Sequence, residues 1–340
     1  MKAAVFHGNG TDLKIEDWPL PEPRAGEVVI RVAACGLCHT DLHYLDHGVS
    51  TFKTPPIVLG HEAAGTIARI GAEVSGVAEG DRVLAPSVWS CGRCRFCREG
   101  RENLCINLVM PGNHTDGAFA EFLAVPAKEL VPLPPTIPLE RACIIADAVS
   151  TPYHAVKRRG HVRAGDTVAV VGCGGVGLNV VQCAAVAGAT VVAVDLNDAR
   201  LELAQRLGAR YAINAATTER VDKQVRTLTS GGVDVAFEVV GNPKTIDLAF
   251  NLIRKGGRLV VIGFSHEMVS INAGKLMFYE LELVGSLGCG AGEYPEIVAL
   301  VESGRLTLDP IVSGTFPLER INEGFDRLRR GEGVRWVVTP

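Results

Sequence analysis

Residues 167–177 read Thr-Val-Ala-Val-Val-Gly-Cys-Gly-Gly-Val-Gly. The β-branched run Thr167 to Val171 predicts a strand, and the glycines after it open a helix predicted over Gly177 to Gly188. Gly172, Gly174 and Gly177, with Gly175 and Val176 between the last two, form G-x-G-x-x-G in the strand–turn–helix setting that gives the motif meaning. Glycine permits the tight turn and lets a pyrophosphate approach the helix N-terminus. Asp195 ends the next predicted strand, Thr190 to Asp195, 23 residues after Gly172. Its carboxylate can accept hydrogen bonds from ribose hydroxyls and would repel a 2′-phosphate, which favours NAD over NADP. Arg200, close behind, is the residue that would argue the other way.

Outward from this unit, strands and helices alternate. A helix is predicted over Ala199 to Gly208, and strands over Val233 to Val239 and Arg258 to Ile262. The alternation argues for a doubly wound parallel sheet with right-handed crossovers. The segment before it has a different texture. Val28 to Ala33, Glu62 to Ile70 and Arg82 to Ala85 are short strand-like runs punctuated by Gly and Pro. After Pro132, Pro134, Pro135 and Pro138, Leu139 to Arg158 reads as helix broken at Pro152. From about Leu287 a short helix and a terminal strand, Arg335 to Thr339, are expected.

With 340 residues, the chain is long enough for two domains. Its 34 basic and 38 acidic residues give a net charge of −4, so nucleic acid and anionic membranes are poor partners. No apolar run approaches the roughly 18 residues needed to span a bilayer. Met1 to Gly10 lacks the pattern of a secretory signal, so a cytoplasmic enzyme is expected. In that reducing setting the ten cysteines read as ligands or core residues rather than disulfides.

Four of them, Cys91, Cys94, Cys97 and Cys105, are spaced C-x2-C-x2-C-x7-C. One loop carrying four thiolates can close a tetrahedral structural zinc site. Arg93, Arg95, Arg98 and Arg101 are expected to offset the thiolate charge. A second, dispersed group holds Cys35, Cys38, His39, His43, His61, Glu62, Cys143 and Asp147. A catalytic zinc needs about three protein ligands and an open position, and the residue pattern alone leaves open which three. Asp147 stands out because it lies in an apolar stretch, where an unpaired carboxylate would be costly to bury.

Taken together, Cys38-His39-Thr40-Asp41, Gly60-His61-Glu62-x2-Gly65-x5-Gly71, Gly80-Asp81-Arg82-Val83, the four-cysteine loop and Gly172 to Gly177 resemble the zinc-containing alcohol dehydrogenase family, over essentially the whole chain. The resemblance implies an α/β protein with a GroES-like β-rich catalytic domain (1–148 and 287–340) and a Rossmann doubly wound parallel sheet domain (149–286), with the active site in the cleft between them. It implies NAD and two zinc ions per chain. Cys38, His61 and Asp147 match the catalytic zinc ligands; Asp147 stands where Cys is commoner, and nearby Cys143 is the rival. Glu62 matches a carboxylate beside the zinc, and Asp41 the group that orients His61. Thr40 matches the hydroxyl that takes the alcohol proton, and His43 the distal base. His39 and Arg335 match contacts to the pyrophosphate, Thr151 a contact to the nicotinamide, and Arg200 a basic residue near the adenosine ribose. Ile262 is assigned to the cofactor site as well.

The expected reaction is reversible hydride transfer between a primary or secondary alcohol and NAD. The alternatives are a polyol, or a ring hydroxyl such as that of a cyclic alcohol or a hydroxyacyl-CoA, which the stretch Ala146 to Tyr153 resembles faintly. A non-catalytic NAD-binding redox sensor is the reading outside enzymes. Trp89, Phe52, Val88 and Leu287 are candidate pocket walls. A homodimer or homotetramer is expected, with the edge near Leu281 to Val284 as its association surface.

Overall fold

The computed structural model describes residues 1–340, which divide into two compact units: 1–150 with 288–340, and 151–287. No helix is long and apolar enough to cross a membrane.

The first unit opens with β1 (Lys2–Phe6), β2 (Lys14–Asp17), β3 (Glu27–Gly36), β4 (Ile57–Val58), β5 (Ala63–Ile70), β6 (Arg82–Ala85), β7 (Phe122–Pro126) and β8 (Val131–Pro132). β1 is the centre of a small antiparallel sheet with β2 and β4. β3 is the spine of a larger one, paired antiparallel with both β5 and β7. Its Val28, Val29 and Ile30 are fully buried, as a central strand requires. The core beneath gathers Ile30, Leu37, Leu59, Phe119, Phe325 and Trp336. Trp89 belongs to this core as well: it is 6% exposed and its indole N–H donates to the Pro86 carbonyl.

The second unit is a six-stranded parallel sheet of β9 (Thr167–Val171), β10 (Thr190–Asp195), β11 (Ala209–Asn214), β12 (Val233–Glu238), β13 (Ile253–Val261) and β14 (Glu282–Gly285). The order β11-β10-β9-β12-β13-β14 turns back at β9, so chain direction across the sheet reverses beside the glycine turn, the usual place for a ligand in such folds. Val168 to Val171 are buried, which explains their continuous apolar run. The helix after the turn spans Gly175–Val186, starting two residues earlier than the sequence suggests.

Two sequence expectations are corrected by the backbone. The stretch from Leu139 does not break at Pro152, which sits inside the first turn of the helix Ser150–His154, where its missing N–H costs nothing. The break is at Asp147 to Val149, after a 3₁₀ turn over Cys143–Ala146. The C-terminal part holds more than one helix and one strand. It carries helices Tyr294–Glu302 and Ile321–Arg329, and β15 (Val312–Pro317) lies parallel to β16 (Arg335–Thr339). β16 then pairs antiparallel with β3, Val337 facing Gly36 and Val338 facing Cys35.

Candidate active site and metal centres

Register brings the first unit's chemistry together. Cys35 pairs with Ala63 across β3 and β5, which sets the end of β3 beside His61 and Glu62. The Gly36 N–H donates to the Glu62 carbonyl at 3.0 Å, and the Leu37 N–H to the Trp336 carbonyl at 2.8 Å. Three strand termini thus deliver Cys38, His61 with Glu62, and Arg335 to one place, and the 3₁₀ turn delivers Asp147. Donor atoms of Cys38, His61, Glu62 and Asp147 all lie within 4.8 Å of one another. Cys38 Sγ is 3.8 Å from Asp147 Oδ2, and His61 Nε2 is 3.9 Å from the same oxygen. Cys143 is not part of this group; it is buried, and its thiol is directed to the Glu140 carbonyl at 3.7 Å.

The surroundings suit a cation. His61 is 2% exposed and its Nε2 has no hydrogen-bond partner, a costly state for a buried nitrogen unless something binds it. Its Nδ1 faces Asp41 Oδ1 at 3.5 Å, the arrangement that aims the other nitrogen outward. Cys38 is the N-cap of the helix His39–Asp46: its Sγ accepts the Thr40 N–H at 3.5 Å, and Asp41 Oδ2 accepts the Cys38 N–H at 3.2 Å. Asp147 has a side chain 20% exposed, so this donor set is open on the carboxylate's side. One sulfur, one nitrogen and one oxygen donor around an open position fit a catalytic zinc.

Glu62 is the deepest of the four, with no exposure, and burial pushes its carboxyl up to about 7 against the pull of the Arg335 guanidinium. Arg335 lies 3.4 Å from Glu62 Oε1 and donates to the Leu37 carbonyl at 2.8 Å. It is 3% exposed, so its visible role is to balance Glu62. Gly36 makes room for that carboxylate, since a Cβ there would stand 2.0 Å from Glu62 Oε2. Thr40 Oγ1 is 3.5 Å from Cys38 Sγ. His39 and His43 lie on the outer part of the same helix, and His43 Nδ1 is 3.0 Å from His47 Nδ1.

The four loop cysteines form the second donor set. All are free thiols with sulfurs within 4.8 Å of one another, Cys94 to Cys97 being 3.4 Å and Cys91 to Cys97 4.0 Å. A tetrahedron of about 2.3 Å zinc–sulfur bonds has edges of about 3.8 Å. Arg95 and Arg101 turn outward over the Phe96 ring and toward Glu99. Backbone amides reach the thiols: the Cys91 and Asn107 N–H groups donate to Cys105 Sγ, and Cys91, hydrogen-bonded first by the Arg93 backbone, is lowered to about 6, while burial pushes Cys97 up to about 11.

In the second unit, Gly172 takes φ +95°, a conformation L side chains rarely adopt, and a Cβ on Gly177 would sit 1.8 Å from the Gly172 carbonyl oxygen. A Cβ on Gly174 would meet nothing within 4 Å, so no protein contact demands glycine there. The space is what a closely approaching pyrophosphate needs. Val176 lies in the first turn of the helix, behind Gly175. Asp195 Oδ2 accepts the Cys173 N–H at 2.6 Å, and its Oδ1 accepts those of Leu196 and Asn197 at 2.8 and 3.0 Å. The carboxylate therefore shapes the glycine turn itself, a role the motif alone does not reveal. Arg200 is in the helix Asp198–Arg206, Thr151 is buried in Ser150–His154, and Ile262 is half-buried just after β13. Sequence reasoning missed Gly36, whose role depends on a partner across the sheet, and Glu238, whose Oε1 accepts the Val240 and Gly241 N–H groups beside the glycine turn. Leu287 and Phe52 are exposed, and Phe52 stacks on His114 with ring centroids 4.3 Å apart.

Comparison with known proteins agrees with this geometry. Residues 24–135 match the family model described as alcohol dehydrogenase GroES-like domain, and residues 175–303 that described as zinc-binding dehydrogenase. An NDMA-dependent alcohol dehydrogenase of Amycolatopsis methanolica is 36% identical, covering 99% of this chain and 98% of its own. A sorbitol dehydrogenase of Bacillus subtilis (strain 168) is 34% identical over 100% of this chain and 97% of its own. The crystal structure of an alcohol dehydrogenase from Aeropyrum pernix covers 100% of both chains with a TM-score of 0.91 at 35% identity. Fold and matches together define an oxidoreductase built from a GroES-like unit and a Rossmann unit. The chain belongs to the zinc-containing alcohol dehydrogenase family of the medium-chain dehydrogenase/reductase superfamily.

Proposed function

We propose that this protein interconverts a small primary or secondary alcohol and its aldehyde or ketone, with NAD as the hydride partner and two zinc ions per chain. The observation that carries the reading is the convergence of the Cys38, His61, Glu62 and Asp147 donor atoms within 4.8 Å, with the Thr40 hydroxyl beside Cys38. Cys38, His61 and Asp147 would hold the catalytic ion, and Cys91, Cys94, Cys97 and Cys105 the structural one. Zinc at the first site supplies Lewis acidity that lowers the pKa of an alcohol hydroxyl, and NAD supplies the hydride acceptor. Asp41 keeps His61 oriented and Arg335 balances the buried Glu62 charge. Thr40 Oγ1 accepts the alcohol proton, and His43, one turn further along the same helix, passes it toward solvent. His39 lies at the start of that helix, where pyrophosphate contact is expected.

NAD rather than NADP is supported by Asp195, a fixed negative charge at the end of β10, where a 2′-phosphate would have to sit. A polyol substrate is the second reading, favoured by the similarity to sorbitol dehydrogenase across the chain. Homo-oligomerisation is supported by β14, an edge strand whose Leu283 is 42% exposed beside an apolar groove formed by Ile246, Val261, Val269, Ile271 and Val284. Sedimentation of the protein tests this, and a monomer at micromolar concentration would remove it. The activity is tested by elemental analysis with an alcohol and polyol panel, using NAD and NADP. Two zincs per chain with NAD-linked turnover are expected. One zinc and no turnover on any substrate would favour the redox-sensor reading instead.

A further inference from the structure

Both peptide groups flanking Asp147 are held by side chains. The Ala146 carbonyl accepts the Tyr294 hydroxyl at 2.9 Å and the Ser150 hydroxyl at 3.0 Å, with the Ser87 N–H at 3.4 Å. Ser150 Oγ is also 3.5 Å from the Asp147 carbonyl and 3.3 Å from Tyr294 Oη. Tyr294 comes from 148 residues away in the chain, is 1% exposed, and begins the helix Tyr294–Glu302. The turn ahead of it is itself fixed, because Glu293 Oε2 accepts the Gly290 N–H at 3.1 Å and lies 3.3 Å from Cys289 Sγ. Asp147 leaves the helical path at φ −142° and ψ −57°, so no regular hydrogen-bond ladder fixes its direction.

We propose that Tyr294 is a positioning residue for the metal site, its hydroxyl setting, through the Ala146 carbonyl, the direction in which Asp147 presents its carboxylate to Cys38 and His61. The inference rests on the reading of Asp147 as a zinc ligand. Ligand distances tolerate only about 0.2 Å, and small backbone rotations at residue 147 move the carboxylate by more than that. A phenylalanine would fill the same volume. What it lacks is the hydroxyl that makes the shortest of the three contacts to the Ala146 carbonyl, leaving Ser150 from the same turn and the Ser87 N–H at 3.4 Å.

The test uses full-length, zinc-loaded protein and a chromophoric chelator that reports release from each site. Tyr294→Phe is expected to speed release from the Cys38–His61–Asp147 site about five- to tenfold, with release from the four-cysteine site and the melting temperature close to wild type. Ser150→Ala should accelerate the same phase by a smaller factor, and it carries the comparison if the tyrosine variant is not recovered loaded. Asp147→Ala should abolish that phase. If Asp147→Ala abolishes it but Tyr294→Phe and Ser150→Ala release at the wild-type rate, the positioning role is overturned and the ligand reading stands. If Asp147→Ala retains the phase unchanged, the ligand reading falls and the positioning role with it. Equal acceleration at both sites with a large drop in melting temperature would reduce Tyr294 to a packing residue and overturn the proposal as well.

Discussion

Replacing Gly36 with alanine tests the frame of the site directly. The new methyl carbon would stand 2.0 Å from Glu62 Oε2 and 3.0 Å from Glu62 Cδ. Ordinary contact needs about 3.5 Å, so the oxygen must retreat by about 1.5 Å. Gly36 has no positive φ, so the backbone accepts alanine and the cost is steric. The side chain being displaced is fully buried, and its ion pair with Arg335 is already 3.4 Å long. Overpacking costs about 1–3 kcal/mol, and loosening a buried ion pair adds to it, so a loss of about 2–4 kcal/mol is expected. Tryptophan fluorescence during urea unfolding is a selective assay, because Trp18, Trp89 and Trp336, all three tryptophans, lie in the first unit. The control is Glu62→Ala, which removes the clashing carboxylate. In that background only the contact with the Cβ of residue 62, at 3.1 Å, remains close, so Gly36→Ala should cost about 1–2 kcal/mol less than in wild type, a coupling that a double-mutant cycle resolves. Equal costs in both backgrounds would refute the cradle reasoning.

Further expectations concern chemistry rather than packing. Thr40→Ala should lower kcat by about 10²- to 10³-fold with NAD affinity unchanged, while Thr40→Ser retains most activity; stopped-flow turnover with cofactor titration checks both. Cys97→Ser should remove one zinc per chain by elemental analysis and lower the urea midpoint of the tryptophan signal, leaving the ion at Cys38 and His61 in place. Asp195→Ala should raise the NADP/NAD ratio of kcat/KM, yet also weaken both cofactors, because the Cys173 amide loses its acceptor. A variant that gains NADP use with no loss toward NAD would contradict that second role.

How much of this is legible in the sequence follows from the range of the forces involved. Thr167–Val171, Thr190–Asp195, Arg82–Ala85 and Arg335–Thr339 have the bounds read from sequence, since strand patterning and turn residues are local signals. The four loop cysteines are legible because few side chains bind metals and their spacing is dense, whereas Cys38, His61 and Asp147 are dispersed and are singled out only through the family resemblance. Pro152 misleads because proline breaks a helix only past its first turn, and where a helix starts is set by the Asp147 break. Gly36, Glu238 and Tyr294 carry no local signal: each acts through a partner that only the tertiary fold supplies.

The pairing of β16 with β3 also has a consequence during synthesis. The strand at residues 27–36 emerges from a ribosome some three hundred residues before its neighbour at 335–339, with the whole of 151–287 made in between. Until then Glu62 has no Arg335 to balance it, and the Leu37 N–H lacks the Trp336 carbonyl. A nascent or truncated chain thus holds Cys38 and His61 without the frame that fixes them. If the proposed sites hold zinc, capture at that pair should therefore trail synthesis of residues 335–339, whereas the four-cysteine loop, contiguous within fifteen residues, is free to load early.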